Sequence, residues 1–564
     1  MKLPRPLLAA VLCLLPALGL PRTPARGMEV GMNVSAPAYW ANDWPFVDLL
    51  RSGSDWRVAT EQDAWLRVYE SEHLRDGRVA LTPGGFPYVP GEDWESGQGG
   101  IRAFRVLVPG GNEAAVEPGS PGFFESPVGD YTFLGEGTGR VRISGGGFTP
   151  TTIEFNGTGT EVTVRREAGQ ETEDPRQFGL IEIEATDAAD PVRGLRLVMP
   201  GHAESFEEHP FHPLFLERLR PFAGVRLMDW NNVNQSAVAS WEERPTVEFF
   251  SWANAARQVR TDDPAFADRR GLLPGWGEPG AVQLGGVPLE VQAQLAVELD
   301  CDLWVCLPAL ADADYARRAT RLLRDRMPAG RELVVEWGNE VWNRAFLPDR
   351  LARAAVGGDR QALNRHLTDR ISAAYAAVRG EFGPEEGVSL VIPYQLADAY
   401  MSREDAPRVD AAISHFYWGI DWVKRSFDEG WHNESDAELL DRMDAQVMED
   451  LREDLTEQRA EIARVSEAYY PVGAWAYEGG SHFHAIWWRK DIQEATGGMT
   501  SRLQHHPRME GLYHEMFGVL RETGFDEKNH LFANTGRGFG HLQHPTQDPA
   551  DAPKFRAAVA QAGR

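Results

Sequence analysis

Beyond Pro200, seven short apolar runs alternate with longer amphipathic stretches, and an eighth apolar run lies near the N-terminus at 29–34. Between about 57 and 200 the texture differs: short runs of alternating polar and apolar residues are separated by glycine-rich turns. Eight strand-and-helix units in a chain of 564 residues predict an α/β fold, a (β/α)8 TIM barrel. The alternating stretch predicts a β-sandwich domain inserted after the first barrel strand. The implied organisation is a signal peptide at 1–27, a first part of the barrel at 28–56, the inserted sandwich at 57–200 and the remainder of the barrel at 201–564.

The first strand is read at Glu29-Val30-Gly31-Met32-Asn33-Val34, and a loop with Tyr39, Trp40 and Trp44 follows it. The sandwich is read from Val141/Ile143, Ile153/Phe155, Val162/Val164 and Ile181/Ile183, with Glu182 and Glu184 interleaved, because successive strand residues face opposite sides. The remaining barrel strands are expected at 225–228, 303–307, 333–337, 389–393, 411–416, 472–476 and 529–532. Helices are expected at 312–327, 361–379, 436–469 and 500–523, several starting with acids and ending with Arg, as the helix dipole favours.

Composition narrows the function. Hydrophobic residues at 42% and charged residues at 25% are those of a folded protein, not a disordered one. A net charge of -27 repels phosphates, so nucleic acid is not an expected partner. The 18 Trp suit ring-stacking ligands such as sugars, and equally a large core. Lys2 and Arg5 precede an apolar run at 7–18 and the small residues Ala17-Leu18-Gly19, the pattern of a secretory signal. The run is too short to anchor in a bilayer, so the expected product is secreted, extracellular or periplasmic, without membrane insertion. Leu12 before Cys13 argues against a lipidated cysteine. Cys301 and Cys306 flank an extended run of ~16 Å, whereas bridged Cα atoms lie ~4.4–6.8 Å apart; two free buried thiols are expected.

Catalytic groups of such a barrel belong at the C-terminal strand ends. One end reads Glu336-Trp337-Gly338-Asn339-Glu340, another Trp475-Ala476-Tyr477-Glu478, a third His415-Phe416-Tyr417-Trp418, and 225–228 leads into Asp229-Trp230-Asn231-Asn232. Two glutamates on separate rims suit retaining glycoside hydrolysis: one carboxyl donates to the leaving oxygen, the other attacks the anomeric carbon, ~5–5.5 Å away.

Asn339-Glu340 after the fourth strand and Glu478 after the seventh resemble the proton donor and nucleophile of clan A glycoside hydrolases. His415 and Tyr417 match that clan's sixth-strand His-x-Tyr pattern, and Arg226 its second-strand Arg. The resemblance covers the barrel part of the chain. It implies a retaining glycosidase of a β-linked oligo- or polysaccharide, without cofactor. Glu340 is the expected acid/base and Glu478 the nucleophile. Asn339 is expected on the sugar 2-hydroxyl, and Arg226 and Tyr417 are expected to hold Glu478 ionised while the Glu340 carboxyl is raised. One departure stands out: Phe532-Ala533-Asn534-Thr535-Gly536 lacks the Trp that many members carry after strand eight.

Other readings stay open on residues alone. Glu336 suits a buried ion pair inside the barrel, and Arg226 could serve the same end. Asp229, Asn231 and Asn234 either line the cleft or form a polar turn. Trp44, Trp230, Trp337, Trp418 and Trp475 are sugar platforms or core. The sandwich either binds carbohydrate or braces the barrel. A cleft retained for glycan binding without catalysis is one alternative. A metal-dependent hydrolase using His482 and His484, with His505, His506, His541 and His544, is another; such pairs usually open a barrel, so no metal ligand is assigned.

Overall fold

The computed structural model describes residues 27–563 apart from 42, 61–64, 69–71, 92, 111–124, 169–177, 261–280, 384–385, 484–488 and 537. The leader with Cys13, and His484, lie outside the described residues.

Eight parallel strands close into a barrel: β1 (Glu29–Asn33), β2 (Gly224–Arg226), β3 (Asp302–Leu307), β4 (Leu333–Trp337), β5 (Val388–Pro393), β6 (Ala411–Trp418), β7 (Gly473–Ser481) and β8 (Lys528–Leu531). Each pairs with the next in chain order, and β8 closes on β1 with Val30 opposite Asn529 and Met32 opposite Leu531. Alternate residues of every strand divide between two cores. Val30, Met32, Leu303, Val305, Val335 and Trp337 pack outward against the helices. Trp304, Cys306, Val334, Val391, Ile413, Trp475 and Tyr477 fill the barrel interior. Gly31 is required there, because a Cβ would stand 2.2 Å from the His530 ring.

Helices Leu289–Leu299, Ala313–Arg326, Arg360–Arg379, Tyr394–Met401, Asp436–Ala468, Met509–Glu522 and Pro553–Ala562 surround the barrel. Their starts are capped as the sequence suggests: Asp312 accepts from Tyr315 N, Asp359 from Ala362 N, and Ser435 with Glu438 forms a capping box. The single helix expected at 500–523 is two helices, Lys490–Leu503 and Met509–Glu522. Pro507 breaks it: proline lacks the donor and drives the residue before it out of the helical region. No helix among the described residues is long and apolar enough to cross a membrane.

Between β1 and β2 the chain builds a separate ten-stranded antiparallel sheet. Its main strands are Arg57–Thr60, Ile101–Val108, Gly129–Glu136, Thr138–Gly145, Phe148–Asn156, Thr160–Arg166, Gly179–Thr186 and Arg193–Val198. The sheet bends around its own core. Phe133 meets Phe155, and Tyr131 meets Phe148, across an intervening strand. Val141, Ile143, Ile153, Phe155, Val164, Ile181 and Ile183 are buried there, and Val162 packs against them. The chain leaves and returns through one neck, where Met199 N donates to Val47 O and Val47 N to Pro210 O. Cys301 and Cys306 are buried and not joined in a disulfide.

Candidate active site

Two local irregularities aim the acidic groups. After β4 the chain turns through Gly338 (φ 74°) and Glu340 (φ 40°), the latter a non-glycine residue in the left-handed region, where strain is characteristic of functional sites. A Cβ on Gly338 would lie 2.6 Å from Val341 Cγ1, so the turn needs glycine twice over. On β7, Ser414 pairs with Ala476 but His415 pairs with Glu478, leaving Tyr477 as a bulge. Strict alternation would send either Tyr477 or Glu478 outward; the extra residue lets both face the barrel mouth.

The result is one hydrogen-bonded constellation. The Tyr417 hydroxyl lies 2.8 Å from Glu340 Oε1 and 3.3 Å from Glu478 Oε2. Tyr477 OH donates to Glu340 Oε1 at 2.9 Å, and Asn343 Nδ2 to Glu340 Oε2 at 2.8 Å. Below them Arg226, fully buried, donates through Nε and Nη2 to Glu336 Oε2, through Nη1 to Asn33 Oδ1 and through Nη2 to Asn339 Oδ1, all at 2.8–3.0 Å. Trp304 Nε1 and Cys306 Sγ also donate to Glu336 Oε2. Arg226 Nη1 reaches Glu478 Oε2 only at 4.0 Å. Asn339 Nδ2 donates to Asn234 Oδ1. Tyr417 lies in a parallel stack, 4.4 Å from the His415 ring and 5.1 Å from that of Phe532. A cavity of about 230 Å³ opens beside Glu478, lined by Asn33, Ser35, Asp229, Phe532, Thr535 and the backbone around Gly536, Gly538 and Gly540.

Electrostatics reverse one expectation. Burial pushes the Glu478 carboxyl up to about 8; Arg226 opposes this, while the charges of Glu340 and Asp229 add to it. The sequence expectation had Arg226 and Tyr417 holding Glu478 down. Arg226 instead gives its short bonds to Glu336, Asn33 and Asn339, and Tyr417 sits closer to Glu340. Burial likewise raises Asp229 to about 6 against the pull of Arg226. His415 is lowered by burial, partly offset by Glu340.

Of the residues singled out from sequence, Glu340, Glu478, Asn339, Arg226, His415 and Tyr417 come together. Trp230, Trp337, Trp418 and Trp475 do not join them. Trp230 stacks on Phe211 and Phe215 and donates to Ser35 O. Trp337 faces the helices, and Trp418 packs against Phe483 and Tyr513 with Nε1 on Met516 Sδ. Trp475 sits low in the barrel, donating to Glu527 and lying beneath Lys528. Each is core rather than a platform, since each ring is buried in the protein. Phe532 stands after strand eight and is itself in the Tyr417 stack. His482 also stacks on Tyr417, whereas His541 contacts Tyr513. Among the described residues no three His, Cys, Asp or Glu stand where they could hold a metal ion. Tyr477 and Asn343 received no role from sequence. Tyr477 points inward with Trp475 by ordinary alternation, but carries no motif of its own, and Asn343 resembles an ordinary turn residue.

No family model and no curated protein matches the chain. Solved structures that it resembles include glycoside hydrolases of families 5 and 51. A family 51 α-L-arabinofuranosidase from Bifidobacterium longum is 11% identical, with a TM-score of 0.40 over 62% of this chain and 67% of that one. A family 5 broad-specificity endoglucanase from Clostridium acetobutylicum is 12% identical, with a TM-score of 0.32 over 63% of this chain and 90% of that one. A family 5 enzyme from Prevotella bryantii B14 is 10% identical, with a TM-score of 0.32 over 64% and 89%. These are likenesses of fold alone.

Proposed function

We propose that the protein is an exported, retaining glycoside hydrolase that cleaves a β-linked glycan, with Glu340 as acid/base and Glu478 as nucleophile. The observation that carries this reading is the hydroxyl of Tyr417, in reach of both carboxyls. Its two distances bound the separation of Glu340 Oε1 and Glu478 Oε2 at about 6 Å, which accommodates the ~5–5.5 Å spacing of a retaining pair. The basic start and the apolar run at 7–18 support export.

In the resting cleft the high Glu478 pKa keeps a proton on the wrong partner for this chemistry. Tyr417 offers the route: it can give its proton to Glu340 while taking that of Glu478. Glu340 then protonates the glycosidic oxygen as Glu478 attacks the anomeric carbon, breaking the bond to the leaving group and forming a glycosyl ester. Glu340 next deprotonates water, which attacks the same carbon and frees Glu478. Asn343 and Tyr477 orient Glu340 throughout.

Azide assigns the roles. In Glu478→Ala, azide should restore turnover of an activated aryl glycoside and give the inverted glycosyl azide. In Glu340→Ala, the intermediate still forms and azide should give the retained product. Wild-type-like hydrolysis by Glu478→Ala would end the proposal, and one stereochemistry from both variants would mean that the roles are wrong. A glycan-binding cleft without catalysis is the second reading, favoured by Phe532 where a tryptophan platform would stand. It requires that no new reducing ends appear on any β-glycan.

A further inference from the structure

The loop after β2 grips the turn that carries Glu340 at both ends, through one residue, Asn234. Asn234 Oδ1 accepts from Asn339 Nδ2 at 3.1 Å, and its backbone oxygen accepts from Leu347 N at 3.1 Å. Asn339 precedes Glu340, and Leu347 opens the helix Leu347–Val356 that follows the turn. A turn with Glu340 at φ 40° needs such bracing, because that backbone conformation is costly for a non-glycine residue. The loop is itself anchored. Val233 packs into the barrel interior, and Asn232 Nδ2 donates to Gln283 Oε1 at 2.8 Å.

These bonds decide which way the Asn339 amide faces. A guanidinium only donates, so the Asn339 atom 2.8 Å from Arg226 Nη2 is the oxygen. The nitrogen must then face Asn234, which supplies an oxygen because its own nitrogen is turned to Met228 Sδ, at 3.6 Å. Asn234 thus takes one of the two N–H groups of Asn339. Among the described residues the other meets no acceptor.

We propose that Asn234 is a positioning residue: it acts through Asn339, fixing that amide so that its remaining N–H donates to the 2-hydroxyl of the reacting sugar. The inference rests on the glycosidase reading and deepens it. The 2-hydroxyl stands on the carbon next to the anomeric one, and Asn339 is the residue next to Glu340. A hydrogen bond to that oxygen strengthens in the transition state, so a misplaced N–H lowers the rate.

The test uses the full chain with 4-nitrophenyl β-glucoside, β-galactoside and β-xyloside, each paired with its 2-deoxy analogue. Asn234→Ala keeps the backbone bond to Leu347 and removes only the amide contact. In the series cleaved best it should lower kcat/KM on the 2-hydroxy substrate by about 10-fold, and on the 2-deoxy substrate by less than about twofold. Asn339→Ala should show the same selective loss. Adding Asn234→Ala to it should cost nothing further, because the amide that Asn234 orients is already gone. Asn234→Asp keeps an acceptor for Asn339 and should keep the wild-type ratio between the paired substrates. Equal losses on both substrates in Asn234→Ala, or losses that add in full in the double variant, would overturn the proposal while leaving the glycosidase reading intact. If no aryl glycoside is cleaved, binding decides. Methyl β-glycosides and their 2-deoxy analogues are then titrated into Glu478→Gln with and without Asn234→Ala, and followed by ligand-observed NMR. A preference for the 2-hydroxy sugar that Asn234→Ala removes would keep the positioning role and discard the catalytic reading. In that case no binding, or a preference indifferent to Asn234, would overturn both.

Discussion

Replacing Glu478 by Gln should stabilise the protein, and increasingly so as pH rises. Glu478 has a carboxyl value of 4.5 in the unfolded chain and about 8 in the fold, chiefly through burial. Below pH 4.5 both states hold the proton and the residue contributes no penalty. Between 4.5 and 8 the unfolded chain releases a proton that the folded one keeps, so stability falls by about 1.4 kcal/mol per pH unit. Above about 8 both states are ionised and the loss is complete, at about 5 kcal/mol over the whole interval. A neutral isostere removes this slope. Urea unfolding followed by tryptophan fluorescence should show wild type and Glu478→Gln within about 1 kcal/mol at pH 5. The variant should be ahead by about 3 kcal/mol at pH 7 and about 5 kcal/mol at pH 9. A variant no more stable than wild type at pH 9 would refute the burial argument.

The same proton governs rate: kcat/KM should fall about tenfold per pH unit above about pH 8, where the pair loses the proton that Tyr417 hands to Glu340; a profile still rising above pH 8 would contradict this. Tyr417→Phe removes the hydroxyl shared by both carboxyls and should lower kcat on an aryl glycoside by about 100-fold, with the far-UV circular dichroism unchanged. Arg226→Met leaves Glu336 buried without its counter-charge and should cost about 3–5 kcal/mol in thermal unfolding, most of it recovered by adding Glu336→Leu.

Much of the fold could be read from residues, because each barrel strand is an apolar run that stops at polar rim residues. Glu340, Tyr417 and Glu478 were visible for the same reason: they sit where those runs end. Trp337, open between platform and core, could have been assigned to the core by parity. If Glu336 points into the barrel, Trp337 must point out, and the helices outside need large apolar partners. Tyr477 shares the inward parity of Trp475, but nothing in the sequence marks it as a partner of Glu340; it is Glu478 whose parity the bulge inverts. The ionisation of Glu478 was equally hidden. Recognising Arg226 as its neighbour says nothing of how many other acceptors the guanidinium already serves, and Asn33 lies almost two hundred residues away in sequence. The break at Pro507 was legible and outweighed by the amphipathic pattern on either side.

Arg226 ties β1, β2 and β4 together through Asn33, Glu336 and Asn339, and stands under β7 at Glu478. No one of these positions can change without leaving a buried donor or acceptor stranded. Sequence drift should therefore treat them as one unit. In diverging relatives, Asn33, Arg226, Glu336 and Asn339 should be kept or exchanged together. A chain that has lost Arg226 should carry apolar side chains at the other three.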